Sequence, residues 1–261
     1  MESSRPAPPN VLCINNSAPH KIRIRLGAVL FFEAACACAA AATAAADGAA
    51  SLPWKLTAGE YVYANYSGTD LNLRWRADDT SAWVGVYTDE TFGTQARTGA
   101  DTSIGVGKYL QIQPSIQAAS MGFLGGSINL QVGASWYGLA GFGRTDARPY
   151  FNLNFDPNDA LTFGAGHHAE SGVSYLVFVV ADDRFHTGQR DWHANVQIPC
   201  GNSHATLDLM HKSGLADDGR ISAWGFSANW DWPRWFLRLA YDPHQNFSAQ
   251  DAWRFVTGVR F

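Results

Sequence analysis

The chain has 261 residues, 46% of them hydrophobic, 13% aromatic and 16% charged, with 25 Gly, 10 Trp and a formal net charge of −4. A net acidic balance on so few charges, against roughly 25% charged residues in an ordinary soluble domain, excludes the basic footprint of a nucleic-acid binder. Few charges with many aromatics and glycines suit a chain that faces something other than water, or a large soluble β-sandwich.

The first element in chain order is a leader. "HKIRIRLGAVLFFEAACACAAAATAAADGAA" starts with Lys21, Arg23 and Arg25, runs through apolar Leu26 to Phe32 and ends in small residues, the order of a secretory signal peptide. Cleavage is expected near Ala46, with Ala50 as the alternative, leaving residues 1–46 as leader and 47–261 as the mature domain. Glu33 interrupts the apolar run, and the polar stretch ahead of it is long, which fits a translation start downstream of Met1. The run falls short of the ~20 residues a spanning helix needs. Removing residues 1–46 takes away Arg5, Lys21, Arg23 and Arg25 with Glu2 and Glu33, so the net charge becomes −6. Cys13, Cys36 and Cys38 go too, and Cys200 alone remains. A secreted chain without an internal disulfide must be held by another network.

After residue 50 one texture recurs: period-two stretches separated by Asp, Asn, Gly and Pro turns. "DLNLRWRA" sets Leu71, Leu73 and Trp75 against Asn72, Arg74 and Arg76. "YLQIQPSIQA" sets Leu110, Ile112, Ile116 and Ala118 against Gln111, Gln113, Ser115 and Gln117. "INLQVGASWYGLAGF" continues with Ile128, Leu130, Val132, Trp136 and Phe142 on one parity, and "PYFNLNF" reads as a further strand, Phe151, Leu153 and Phe155 against Asn152 and Asn154. "GADTSIGVGKY" lacks the spacing of a phosphate loop, and "GHHAESG" offers His167, His168 and Glu170 without a third metal ligand of known place. No metal or other cofactor is implied.

The polar parity is mostly Asn, Gln, Ser, Gly and Arg, while acids collect in turns such as "ADDT", "DPND" and "LADDG". The wet face of a soluble sandwich or lipocalin-like barrel would carry Lys, Glu and Asp instead. The predicted fold is therefore all-β: a closed antiparallel transmembrane β-barrel with a lipid-facing apolar side and a polar interior. About twelve strands are expected, within a range of ten to fourteen. Trp192, Trp224, Trp230, Trp235, Tyr241 and Trp253 near segment ends fit interfacial girdles.

Two hairpins predict a register. "DWHANVQIPCGNSHATLDLM" turns around Pro199 to Ser203, pairing Gln197 with His204, Asn195 with Thr206 and His193 with Asp208. "WGFSANWDWPRWFLRLAY" turns at Asp231 to Arg234, pairing Trp230 with Trp235 and Ser227 with Arg238. With His204 opposite Ser227, the residues His193, Asp208, His204, Ser227 and Arg238 form an expected polar network in the lumen. A His, a Ser and an Asp invite a hydrolase reading, but barrel interiors are routinely braced by such pairs. Arg74, Arg76, Arg238, Arg254 and Arg260 on inward parities would favour anions along a water path, or would pair with Glu60 and inward acids. Two outward loops, "VVADDRFHTGQRDW" and "AYDPHQNFSAQDAW", supply Asp183 with His186, and His244 with Ser248, as candidate rim catalytic residues, without a recognisable hydrolase motif.

The last strand, "DAWRFVTGVRF", carries Trp253, Phe255, Val259 and Phe261 on one parity, with Thr257 between. Leader, alternating strands and an aromatic terminal strand ending in Phe together resemble the Gram-negative outer-membrane β-barrel proteins, without matching a subfamily. The resemblance implies that these four residues form the signal read by the barrel-assembly machinery, and that the protein sits in the outer membrane among its lipids and lipopolysaccharide. It also implies that the last strand closes on the first, near Gly59 to Tyr66, so that no edge stays unpaired in lipid. The function expected is a monomeric channel for small polar or anionic solutes. The alternatives are a lipid- or lipopolysaccharide-modifying hydrolase at the rim, and a structural barrel without transport.

Overall fold

The structure is a computed structural model that describes residues 52–153 and 156–261. The leader, its cleavage point and the first three cysteines lie outside the described residues. The strands are β1 (Trp54–Val62), β2 (Ser67–Ala77), β3 (Thr80–Asp89), β4 (Gly93–Thr102), β5 (Ile104–Val106), β6 (Leu110–Ala119), β7 (Leu124–Gly133) and β8 (Trp136–Thr145). They continue with β9 (Ala160–His168), β10 (Ser174–Asp182), β11 (Arg190–Cys200), β12 (Ser203–Ala216), β13 (Gly219–Asp231), β14 (Trp235–Asp242) and β15 (Ala252–Arg260). Each pairs antiparallel with its sequence neighbours, except that β4 and β5 follow one another along the same flank of β6. Those two pieces make one stave, so the wall has fourteen staves rather than about twelve. Fourteen is the upper end of the range expected, and turns as short as Asp78–Asp79 and Asp217–Asp218 separate the staves.

The ring shuts where β1 pairs with β15, from Lys55 opposite Arg260 to Val62 opposite Trp253. The first strand thus starts at Trp54, earlier than the Gly59 expected. Closure gives every stave two neighbours, which satisfies the backbone without water. At the seam Gly258 is required: a Cβ there would stand 2.4 Å from the Thr57 methyl and 2.6 Å from the Phe236 ring.

One side-chain parity faces out and is apolar. Leu71, Val84, Ile116, Val132, Val177, Leu209, Leu237 and Phe255 are all exposed on the outer wall, as a lipid-facing surface demands. Aromatics ring it at two levels. Trp54, Trp75, Trp136, Trp230 and Trp235 mark the rim of the chain ends, and Trp192, Trp224, Tyr241 and Trp253 the opposite rim. Trp253 to Phe261 measures roughly 27 Å along the strand at about 3.4 Å per residue, in keeping with an apolar band about 25 Å tall crossed by tilted strands. Short turns lie at the rim of the chain ends and the long connections at the other. In barrels of this type the long-loop rim is the outer one.

Both predicted hairpins keep their faces but slip by two residues in partner. Gln197 pairs with Thr206 and His193 with Met210; Trp230 pairs with Leu237 and Asn229 with Arg238. Each turn is centred one residue later than expected. Gly201, at φ +63°, takes the first central position of a two-residue turn between Cys200 and Ser203, where a hairpin turn favours Gly. Pro233 takes the position after Trp232 in a turn closed by the Trp232 N–H donating to the Trp235 carbonyl at 2.8 Å, where its fixed φ is preformed.

The interior is not uniformly polar. Leu139, Ala160, Leu176, Phe178 and Val180 form a buried apolar cluster on the inner wall of β8 to β10, so β10 is apolar on both faces. Glu60 shares the outward parity, opposite Phe255, and does not join the inward arginines.

Candidate functional site: a lumen crossed by an inserted loop

The β8–β9 connection, residues 146–159, does not extend the wall. The described part of "PYFNLNF", residues 149–153, enters the lumen and reaches the walls of β3, β4 and β15. Phe151 stacks on Tyr87 of β3 with ring centroids 4.2 Å apart. The Gln95 side-chain amide on β4 accepts from the Phe151 N–H at 2.8 Å and donates to the Phe151 carbonyl at 3.1 Å, imitating a neighbouring strand. The Asn152 carbonyl accepts from Gln245 at 3.3 Å and Asn246 at 2.8 Å. The Leu153 carbonyl accepts from Arg254 Nη1 of β15 at 2.8 Å, and the Leu153 side chain is buried with Tyr61, Tyr63, Tyr87 and Ala252. The alternation here has another source than a strand: Phe151 and Leu153 pack on the tyrosine cluster, while the Asn152 side chain donates to the Asp156 carbonyl at 2.7 Å within the segment.

Returning, the segment meets the wall again at Asp156. His193 Nε2 lies 2.9 Å from Asp156 Oδ1, and its Nδ1 lies 2.9 Å from Asp208 Oδ2. A carboxylate thus stands at each ring nitrogen of His193. His193 also stacks on Phe178, centroids 4.5 Å apart. At the mouth Asp159 accepts from the Thr145 N–H at 3.1 Å, the Thr145 hydroxyl at 2.6 Å and Arg184 at 2.8 Å. Burial raises the Asp159 carboxyl, but these donated bonds and the Arg184 charge outweigh it and hold the group below the usual carboxylate range. Arg144 pairs with Asp183 beside it.

Two further ion pairs are buried at the outer half of the lumen. Arg97 of β4 pairs with Asp70 of β2, and Lys212 of β12 pairs with Asp242 of β14 at 2.6 Å. Both bind non-adjacent staves and brace the wall from inside. Asp191 stands opposite Lys212 in the β11–β12 register and is wholly buried.

The other arc of the lumen is wet. Gln111, Gln113, Ser115 and Gln117 of β6, with Ser127 and Gln131 of β7, point inward and keep partial exposure. As inward residues they are exposed to the lumen alone. At the outer mouth, above the inserted segment, an open cavity of about 300 Å³ is lined by residues including Phe123, Tyr150, Arg148, Asn158, Asp159 and Phe247.

The candidate residues from sequence fall into separate places. His193 and Asp208 touch, though they are diagonal rather than facing. Arg238 donates to the Ser227 hydroxyl at 3.4 Å. His204 does not face Ser227: its partner in register is Asp231, with Nε2 at 3.8 Å from that carboxylate, because the β12–β13 turn sits at Asp217 and Asp218. At the outer rim His186 is exposed, and Asp183 is taken up by Arg144. His244 Nδ1 meets the Ser248 backbone carbonyl at 3.1 Å, while the Ser248 hydroxyl accepts from the Gln250 N–H; the imidazole does not address the hydroxyl. His167 stacks on Trp136, and His168 bonds Ser174. What sequence reasoning missed is the anchoring set Tyr61, Tyr63, Tyr87 and Gln95, and that inward Arg254 serves the Leu153 carbonyl. Three tyrosines on an inward parity were the available signal, since rings of that size inside a barrel need something to pack against.

No family model and no curated relative matches the chain. Among solved structures, the outer membrane protein Omp33 of Acinetobacter baumannii is similar at a TM-score of 0.51 and 6% identity, over 80% of this chain and 98% of that one. The NanC porin aligns at 0.45 and 11% identity, covering 80% of this chain and 100% of that one, and the KdgM porin at 0.40 and 10%, covering 79% and 99%. The likeness to Omp33 is one of fold, and the closed ring, lipid-facing belt and twin girdles agree with it: the chain has the fold of an outer-membrane β-barrel.

Proposed function

We propose that the protein is an outer-membrane channel for the passive passage of small polar or anionic solutes. The observation that carries this reading is the wet arc of β6 and β7. Six inward polar side chains there keep partial exposure to the lumen, while the inserted segment packs on β1, β3, β4 and β15. Eight-stranded barrels are filled by their own side chains and sixteen-stranded ones leave a channel; fourteen staves fall near the open end. A loop that fills one side of such a ring narrows the path without abolishing it. An anion preference is supported by Arg238, which is half-buried on the inner wall toward the inner mouth, and by Arg76, which is exposed near it.

The test is single-channel recording in planar bilayers under a KCl gradient. Discrete conductance steps with a reversal potential on the anion side are expected, and Arg238→Gln should move that potential toward zero. A correctly folded, inserted barrel that never conducts would overturn the reading in favour of a purely structural barrel.

A further inference from the structure

The outer wall of β11 to β13 changes character in rows. Reading inward from the outer rim, the outward-facing positions in register are Arg190, Ser213 and Ser222; then Trp192, His211 and Trp224; then Ala194, Leu209 and Phe226; then Val196, Leu207 and Ala228. The lower rows are hydrocarbon-facing. The tryptophans belong to the interfacial girdle, where ring and headgroup meet. The top row therefore lies at headgroup depth.

That row is basic and hydroxylated. Arg220, on the same outward parity of β13, stands above Ser222, and its Nη1 comes within 3.9 Å of where a Cβ on Gly188 would lie, beside the start of β11. The Arg220 guanidinium thus leans across β12 toward Arg190. Both arginines are exposed, and neither makes an ion pair among the described residues. In the same outer half, Arg97, Arg144, Arg148 and Arg184 each pair with a carboxylate. His211 Nε2 bonds the Ser222 hydroxyl at 3.0 Å, and its ring lies 4.7 Å from that of Trp224. The nearby turn acids Asp217 and Asp218 lie beyond the row on the water side, and Asp218 points to His244 at 3.7 Å.

We infer that Arg190, Arg220, Ser213, Ser222 and His211 form a lipid site on the outer wall that takes the phosphate of an anionic outer-leaflet glycolipid. Two guanidinium groups supply the forked donors that match phosphate oxygens. The Ser213 and Ser222 hydroxyls lie between them, with the His211 ring bonded to Ser222 below. Trp192 and Trp224 receive the glycolipid at the junction of headgroup and acyl chain. Adjacent staves are about 4.8 Å apart, so the row from Arg190 to Ser222 spans about 10 Å, the scale of one phosphorylated sugar. The site is outside the barrel and independent of the channel reading.

The experiment is native mass spectrometry of the folded barrel released from detergent micelles, titrated with a phosphorylated glucosamine-based lipid A and with the same lipid after phosphate removal. Wild type should retain one copy of the phosphorylated form and lose the dephosphorylated form. The R190Q/R220Q pair should weaken retention by about tenfold or more, while Arg234→Gln, in a turn of the inner rim, should leave it unchanged. Equal retention of both lipids by wild type, or undiminished retention by the double variant, overturns the site. If the double variant does not fold, the comparison of the two lipids on wild type still decides.

Discussion

Arg254, on the strand that closes the ring, donates at 2.8 Å to the carbonyl of Leu153, on the segment inserted from the opposite side. The two residues are 101 positions apart in sequence, and the bond is buried. Its loss leaves a buried carbonyl without its charged donor, at about 1–3 kcal/mol. Arg254→Ala should therefore free the segment: higher and noisier single-channel conductance, and new protease cleavage between residues 149 and 157. Unchanged conductance and unchanged protection would refute the anchoring role.

The mouth tie at Asp159 sets a pH dependence. Its folded pKa is depressed, so the stabilisation is present above the unfolded value of about 3.9 and is lost as pH falls through the lower folded value. Amide protection in residues 146–153, taken relative to the intrinsic exchange rate at each pH, should be high at pH 7 and fall below about pH 4. Asp159→Asn should show the low protection already at pH 7. Protection that does not change with pH would contradict the assignment.

The buried Arg97–Asp70 pair predicts non-additivity. Removing one partner strands the other charge, at about 3–5 kcal/mol. Arg97→Met and Asp70→Leu should each destabilise the barrel to urea by that order, and the double variant should recover most of the loss. A double variant as unstable as the two single losses added together would show that the pair is not acting as a unit.

The two wall faces should respond oppositely to the same substitution. Val177 faces outward in mid-β10, and Val177→Arg should cost about 2–4 kcal/mol if it lies near the bilayer midplane. Gln113→Arg, on the wet arc, should change stability by about 0.5 kcal/mol or less and alter ion selectivity instead. Urea unfolding in lipid vesicles measures the first effect, and reversal potentials the second.

Phe261 exchanges backbone hydrogen bonds with Trp54 in both directions, at 3.1 and 3.0 Å, and its ring is exposed on the outer wall. Deleting Phe261 should lower the amount of inserted protein while leaving the conductance of the surviving population unchanged. A denaturing gel run before and after boiling reports the folded fraction. Normal folded levels in cells would dissociate this residue from assembly.

The wall itself was legible in the sequence. Leu71 against Asn72, or Gln113 against Ile112, declares a face because a strand alternates strictly and lipid and lumen ask for different chemistry. Register was legible only to within two residues, because both faces survive an even slip; what decides it is the turn centre at Gly201 or Pro233. The inserted segment was misread for a related reason. Phe151 and Leu153 alternate with polar residues as strand residues do, and nothing local distinguishes a neighbour supplied by the wall from one supplied by Gln95 and Tyr87. Nor could alternation reveal the apolar inner cluster at Phe178, where lumen water is displaced by packing.

Because Arg254 belongs to the final stave, the carbonyl of Leu153 has no charged donor until that stave arrives. Phe151 has its partners earlier in the chain, at Tyr87 of β3 and Gln95 of β4. Full seating of the crossing segment is therefore coupled to completion of the circumference.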